Sequence, residues 1–153
     1  MDASLEIRRA DMGFAAAHFS VINGVSERLH GHNYRVRLRV HGPVRDDGTV
    51  LDFGLLKRIL RAECAQLDER VLLPTASSTV SVVARAEEVE VREGARRFLF
   101  PAGDVCLLDI PNTTCECLAA HLLKALRLQL GEGPIRLEIG VDESPGQGAT
   151  VTG

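Results

Sequence analysis

Residues 33–41 alternate strictly between polar and apolar side chains. Side chains two apart along a β-strand share a face, so one face of this segment is apolar and the other is polar. That pattern is typical of an antiparallel strand that packs one face against a core and exposes the other. The apolar face carries Tyr34, Val36, Leu38 and Val40, and the polar face carries Arg35, Arg37, Arg39 and His41. The chain is therefore expected to build an antiparallel sheet around this strand.

Further strands are predicted at both ends of the chain. Residues 5–18 read as a first strand, and residues 135–141 alternate as a last strand with a loop-like tail behind it. Residues 19–29 are expected to form a loop with a turn at Asn23 and Gly24. The β pattern therefore occurs before and after the middle of the chain.

Two segments have helical spacing instead. Apolar residues recur every three or four positions over residues 50–67, with Asp52 in the position of an N-cap, and again from about residue 115 to residue 130. Thr113 and Glu116 have the spacing of a capping box. Between the helices, short β-like runs at 79–84, 87–93 and 96–101 indicate an inserted hairpin or small sheet, followed by an apolar run at 105–110. The predicted class is α+β, with helices covering one face of an antiparallel sheet.

Size and charge exclude several kinds of function. A chain of 153 residues is expected to form a single domain over residues 1–153. A net charge of −3 and 4% aromatic content argue against nucleic acid or an anionic membrane as a partner. The charged N-terminus lacks the apolar stretch of a signal peptide, so we expect the protein to be cytoplasmic.

Three histidines are expected to meet near the start of the alternating strand. His30 and His32 are two residues apart, so their side chains point to one face. His18 ends the preceding predicted strand, and antiparallel pairing would bring it beside them. Three imidazoles leave a fourth tetrahedral position open, which is the arrangement of a catalytic zinc. The alternative is a chance pair of strand histidines at the surface or in the core.

Four segments of the chain resemble the motifs of one enzyme family. They are FAAAHF at 14–19, LHGHNYRV at 29–36, GTVLDFGLLK at 48–57 and DESPGQGA at 142–149. In this order they are similar to the motifs of the 6-pyruvoyl-tetrahydropterin synthase and 6-carboxytetrahydropterin synthase family. The resemblance implies the tunnelling fold, a four-stranded antiparallel sheet with two helices on one face, here with an inserted β segment. It also implies a zinc ion bound by His18, His30 and His32.

A pterin site is implied by the same resemblance. The family anchors its pterin with a glutamate near the C-terminus, which corresponds to Glu143, and with main-chain groups at a Thr-rich helix start, which corresponds to Thr113 and Thr114. A carboxylate can accept hydrogen bonds from two adjacent N–H groups of the pterin at once. Instead of binding a pterin, Glu143 could be an acid exposed to solvent in a loop, and the threonines could simply cap the helix.

Two positions depart from the usual family pattern. The cysteine that serves as general base four residues before the first histidine of HGH is replaced by Ser26. The Asp-His pair that relays protons after the first helix is replaced by Asp68 and Glu69. Either Glu69 substitutes for the relay histidine, or Asp68 alone suffices, or the site has drifted.

One subgroup of the family lacks the cysteine and carries a glutamate three residues before that histidine, and Glu27 fits its ExxHGH pattern. Members of the subgroup resemble dihydroneopterin aldolases in activity and convert 7,8-dihydroneopterin triphosphate to 6-hydroxymethyl-7,8-dihydropterin on the way to folate. The resemblance implies a zinc-dependent lyase in which Glu27 removes a proton and zinc acts as a Lewis acid. By its position alone, Glu27 would be a solvated loop residue.

Other functions stay open at this point. One is a 6-carboxytetrahydropterin or 6-pyruvoyl-tetrahydropterin synthase, against which the missing cysteine argues. Another is a catalytically weak pterin-binding protein, which the loss of both cysteine and histidine favours. A short sheet exposes unpaired strand edges that a second copy of the chain can cover, so we expect a homo-oligomer. The resemblance implies trimers or dimers of trimers, with the dihydropterin site between subunits.

Overall fold

The computed structural model describes all 153 residues. Helices α1 (Phe53–Leu67) and α2 (Cys115–Leu130) accompany twelve strands. The strands are β1 (Asp2–Ile7), β2 (Gly13–His18), β3 (Val21–Ile22), β4 (Val25–Ser26), β5 (His30–Pro43), β6 (Arg70–Pro74), β7 (Ser81–Ala84), β8 (Glu88–Glu93), β9 (Arg96–Pro101), β10 (Val105–Leu108), β11 (Arg136–Ser144) and β12 (Gln147–Thr152). Neither helix is long and apolar enough to cross a membrane.

Strand β5 is the centre of the main sheet. One of its edges pairs with β11, which in turn pairs with β12. The other edge pairs with β2 along the first half of β5 and with β1 along the second half. The predicted single strand over residues 5–18 is thus wrong, because a turn in which Met12 N donates to Arg9 O at 3.2 Å interrupts it. Since β1 and β2 share one edge, the antiparallel part keeps the four strand positions expected of the α+β tunnelling fold.

Two further elements of the main sheet are absent from the sequence-based prediction. Strands β6 and β10 continue the sheet beyond β2 in parallel, so that the sheet is mixed and has seven strands.

The predicted loop-like tail is wrong, because the chain turns at Pro145 and Gly146 and returns along β11 as β12. Gly146 has a φ of 80°, which glycine adopts without steric cost.

The start of α1 agrees with the prediction. The Asp52 carboxylate accepts hydrogen bonds from Gly54 N at 2.9 Å and Leu55 N at 3.2 Å. These two amides have no partner within the helix, so the cap satisfies donors that would otherwise face water.

The start of α2 differs from the predicted capping box. The N-cap is Thr114, whose hydroxyl accepts from Cys117 N at 3.4 Å. Thr113 is fully buried, and its hydroxyl donates to the Phe19 carbonyl at 2.9 Å. Thr113 therefore links α2 to the chain that follows β2 and does not cap the helix. At the other end, Gly131 follows α2 with a φ of 76°, a backbone conformation that glycine adopts without steric cost.

The main core lies between the apolar face of the sheet and both helices. Burying this face is the principal driving force for the fold, at about 25 cal/mol per Å² of apolar surface. The sheet contributes Phe14, Ala16, Tyr34, Val36, Leu38, Val40, Leu137, Ile139 and Val141, and the helices contribute Leu56, Ile59, Leu60, Leu118, Leu122 and Leu126.

The inserted segment forms a separate three-stranded antiparallel sheet, β7–β9, as its sequence predicts. Its apolar side chains build a second core with Phe19. Because Phe19 directly follows the end of β2, this small sheet is fastened to the main sheet beside His18.

Candidate active site

A cleft of about 310 Å³ opens where β5 begins and α2 starts. Its lining combines imidazole, carboxylate, hydroxyl and thiol groups and includes Glu27, His30, His32, Thr114, Cys115 and Glu143. Even-numbered residues of β5 and β2 face the core, so the histidines continue the apolar face of Phe14 and Tyr34 to the end of the sheet. The alternation of side chains that builds the core therefore also places the three histidines on the core-facing side, at the end of the sheet.

The three histidines form one cluster. His18 on β2 is the register partner of His30 on β5, and His32 follows two residues later. The ring centroids are 4.7 Å apart for His18 and His30, 5.1 Å for His18 and His32, and 4.8 Å for His30 and His32. One nitrogen from each ring lies within 4.8 Å of the other two. The predicted convergence of the histidines agrees with this geometry.

Hydrogen bonds fix the protonation of two of the rings. His18 Nδ1 lies 2.9 Å from the Thr113 carbonyl, and His30 Nδ1 lies 2.6 Å from the Arg28 carbonyl. Because a carbonyl oxygen only accepts, both Nδ1 atoms must carry a proton, which leaves the Nε2 lone pairs free. Burial lowers the pKa of His18 to about 4, so the ring is neutral at physiological pH.

The unpaired nitrogens fit a metal ion. His18 Nε2 and His32 Nε2 are buried and have no hydrogen-bond partner. Buried polar atoms without a partner are costly, and a bound cation would satisfy them. Three imidazoles, two of them held by backbone carbonyls through the other ring nitrogen, are the donor set and outer support typical of zinc.

Glu27 lies at the same cleft, in the short loop between β4 and β5. Its amide donates to the Ser20 carbonyl at 2.9 Å, and its Oε2 accepts from Ser20 N at 3.3 Å. The side chain is therefore folded back to the segment that follows His18. Its neighbour Ser26 does not line the cleft, because its hydroxyl is hydrogen-bonded to Glu93 and Arg96.

Glu143 lines the same cleft. Its Oε2 is 3.7 Å from His32 Nε2 and 3.9 Å from Cys115 Sγ. Burial and the Glu143 charge raise the pKa of Cys115 to about 11, so this residue is a thiol and not a thiolate. Cys115 is a cleft residue that the sequence did not single out, although it directly follows the threonines at the start of α2.

The two threonines have different surroundings. Thr114 lines the cleft at the first turn of α2, whereas Thr113 is fully buried behind His18. Only Thr114 is therefore exposed to a molecule in the cleft, and Thr113 acts on the site through the histidine.

The expected relay residues lie elsewhere in this chain. Asp68 caps the end of α1 and accepts from Ala15 N at 2.8 Å. Glu69, with a φ of 56°, lines a different and more open cleft together with Asn33 and Arg70. Neither acid lines the histidine cleft of the same chain.

A two-helix, mixed-sheet fold with a three-histidine cluster beside an acid-lined cleft defines the class of tunnelling-fold pterin synthases. The chain belongs to the 6-pyruvoyl tetrahydropterin synthase family, whose model matches residues 6–153.

Curated and solved relatives agree with this assignment. A Methanocaldococcus jannaschii protein with the provisional name 6-carboxy-5,6,7,8-tetrahydropterin synthase is 32% identical over 145 residues, which is 92% of this chain and 89% of that protein. The crystal structure of 6-pyruvoyl tetrahydropterin synthase from Plasmodium vivax is 31% identical, with a TM-score of 0.94 over 100% of this chain and 98% of its own. The Plasmodium falciparum 6-pyruvoyl tetrahydropterin synthase is 33% identical, with a TM-score of 0.93 over 99% of this chain and 98% of its own.

Proposed function

We propose that this pterin synthase is a zinc-dependent lyase that cleaves 7,8-dihydroneopterin triphosphate to 6-hydroxymethyl-7,8-dihydropterin. The observation that carries the proposal is the position of Glu27, a carboxylate at the histidine cleft of a chain that has Ser26 where the family's cysteine base is expected. A pair of solved forms of the P. vivax relative replace a catalytic glutamate by alanine and by cysteine, so a glutamate serves catalysis in that protein.

His18, His30 and His32 would hold the zinc. When bound, zinc supplies Lewis acidity toward the side-chain hydroxyls of the substrate. Thr113 and the Arg28 carbonyl hold the Nδ1 protons of His18 and His30, so both rings keep Nε2 available for the metal.

Glu27 is the general base of the proposed reaction. Its carboxylate accepts the proton of the 2′-hydroxyl, whose oxygen becomes the carbonyl oxygen of an aldehyde as the C1′–C2′ bond breaks. The electron pair of that bond passes into the C6=N5 imine of the dihydropterin. Protonation at C1′ by the Glu27 carboxylic acid then gives the 6-hydroxymethyl product and releases glycolaldehyde triphosphate.

Glu143 would hold the pterin ring. Its Oε2 lies 3.9 Å from Cys115 Sγ at the start of α2, and its carboxylate can accept from the 2-amino group and N3–H together. Thr114 would contribute main-chain groups at the same end of the cleft. Asp68 and Glu69 could join this cleft only from a second copy of the chain, which is the arrangement that the expected trimer would provide.

A second candidate is 6-carboxytetrahydropterin synthase activity, which the names of the archaeal relatives favour. Ser26 argues against it, because its hydroxyl is engaged by Glu93 and Arg96 and its residue does not line the cleft.

Product analysis tests the proposal. The zinc-loaded protein is incubated with 7,8-dihydroneopterin triphosphate, and the pterins are separated by chromatography. We expect 6-hydroxymethyl-7,8-dihydropterin as the main product. In Glu27→Gln the kcat should fall by about 100-fold or more, as expected for loss of a general base. The exposed loop acid Glu132 offers a matched control, and Glu132→Gln should retain full activity. A dominant 6-pyruvoyl or 6-carboxy pterin would contradict the proposed reaction.

A further inference from the structure

We propose that the inserted sheet β7–β9 is a positioning element for catalysis, which holds Glu27 in place through Glu93 and Arg96. This inference rests on the proposed role of Glu27 as the base. Both positioning residues flank the tight turn between β8 and β9, where Gly94 has a φ of 57°.

Arg96 binds the backbone carbonyls immediately before and after the Cα of Glu27. Its Nη1 donates to the Ser26 carbonyl at 3.1 Å, and its Nη2 donates to the Glu27 carbonyl at 2.9 Å. A planar guanidinium can hold two acceptors in a fixed geometry, which a lysine ammonium does less well. The arginine thus restrains the residue that carries the base without contacting the carboxylate of Glu27.

Glu93 completes the attachment through Ser26. Its Oε1 accepts from Ser26 N at 3.1 Å, and its Oε2 accepts from the Ser26 hydroxyl. The same hydroxyl accepts from Arg96 Nη1 at 2.6 Å. The amide, hydroxyl and carbonyl of Ser26 are therefore all bound by the inserted sheet. In the usual family pattern, the residue at position 26 is itself the base. In this chain, Ser26 instead holds in place the proposed base, Glu27, which follows it.

The inserted sheet is itself fixed to the metal end of the site. The Phe98 ring stacks on Phe19 with centroids 5.4 Å apart, and Phe19 directly follows His18. The Arg96 guanidinium lies over Phe98 at 4.8 Å from the ring centroid. One rigid unit therefore touches both the residue next to a predicted zinc ligand and the backbone of the predicted base.

This arrangement sets the distance between base and metal site. Glu27 lies in the short loop between β4 and β5, and the only other hydrogen bonds that restrain it within the chain are those to Ser20. Because a displacement of about 1 Å can lower a rate by about 100-fold, a loop of this kind needs external support to act as a base.

Arg96→Ala tests the proposal, with Arg92→Ala as its control. Arg92 lies on the same hairpin and pairs with Glu90, but it makes no hydrogen bond to residues 26 or 27. We expect Arg96→Ala to lower kcat for cleavage of dihydroneopterin triphosphate by about 10-fold to 100-fold, with KM and zinc content within about twofold of the wild type. Arg92→Ala should match the wild type in all three. Arg96→Lys, which keeps the charge, should recover part of the lost kcat.

Hydrogen–deuterium exchange of the peptide over residues 20–29 supplies a readout that does not depend on turnover. Exchange should be faster in Arg96→Ala than in Arg92→Ala. If Arg96→Ala does not fold, Glu93→Gln carries the same expectations, because it removes the charge that binds Ser26. Equal kcat and equal exchange in Arg96→Ala and Arg92→Ala would overturn the positioning role. Faster exchange in Arg96→Ala than in Arg92→Ala, together with a wild type that yields no 6-hydroxymethyl product, would instead overturn the lyase proposal and with it the catalytic role of this attachment.

Discussion

His18 donates through Nδ1 to the Thr113 carbonyl at 2.9 Å, and the Thr113 hydroxyl lies 3.2 Å from the same nitrogen. That hydroxyl also donates to the carbonyl of Phe19, the residue after His18. A single buried threonine thus ties the end of β2 to the start of α2 and orients a predicted zinc ligand. The histidine cluster and the α2 end of the cleft therefore share one support.

Thr113→Val should weaken zinc binding by about 10-fold, because groups that support metal ligands typically contribute 10-fold to 100-fold in affinity. It should also destabilise the fold by about 1–3 kcal/mol, since it leaves the Phe19 carbonyl without a donor. Competition with a chelator measures the first effect, and urea unfolding measures the second. Thr75→Val is the control, because the Thr75 hydroxyl donates to the Leu108 carbonyl over 3.1 Å at a place outside the cleft, and this carbonyl keeps the amides of Thr75 and Ile110 as donors. It should change stability little and keep the zinc affinity, and equal zinc affinity in both variants would contradict the support role of Thr113.

Glu143→Gln should weaken binding of the dihydropterin and leave the metal in place. The amide can accept through one oxygen only and carries no charge, so the paired hydrogen bonds to the pterin lose about 1.5–3 kcal/mol, which is about 10-fold to 100-fold in Kd. Fluorescence titration with a dihydropterin and metal analysis of the same sample measure the two quantities. Loss of zinc together with pterin would show that Glu143 serves the histidine cluster instead, through its contact with His32.

Cys115 should react slowly with iodoacetamide at pH 8. Its pKa of about 11 means that about one thiol in a thousand is ionised at that pH, and the thiolate fraction rises only as the pH approaches 11. Since the Glu143 charge raises this pKa, Glu143→Gln should alkylate several-fold faster at the same pH. Mass spectrometry of the peptide that carries Cys115 gives the rate. An unchanged rate in the variant would contradict an electrostatic contribution from Glu143.

The histidine cluster could be predicted from sequence because it depends on local rules. Alternation along β5 fixes His30 and His32 on the core face, and the antiparallel register of β2 then brings His18 opposite His30. The same reasoning predicts both helices and the inserted sheet, whose periodic patterns are strong. Strand β12 could not be predicted in this way, because its residues are mostly small or polar and form a strand only through pairing with β11.

The surroundings of Glu27 could not be predicted in this way. Arg96 is 69 residues away in sequence from Glu27, and Glu93 is 67 residues away from Ser26. No local pattern encodes a contact between a loop and the tip of a distant hairpin. The same limit applies to Thr113, whose spacing to Glu116 indicates a helix cap although its hydroxyl is bound by the Phe19 carbonyl.

Gly13→Ala should disturb the histidine cluster from the far end of β2. A Cβ at this position would lie 1.9 Å from the Tyr34 carbonyl, so β2 would have to move away from β5. The register pair His18 and His30 spans these same strands, and its separation would grow with the shift. We expect a loss of about 3 kcal/mol in unfolding free energy, the upper part of the range for overpacking, together with weaker zinc binding. Gly133→Ala, at a glycine where an added Cβ meets nothing within 4 Å, should change neither. Urea unfolding and chelator competition on both variants test this, and a wild-type zinc affinity in a destabilised Gly13→Ala protein would show that the cluster tolerates movement of β2.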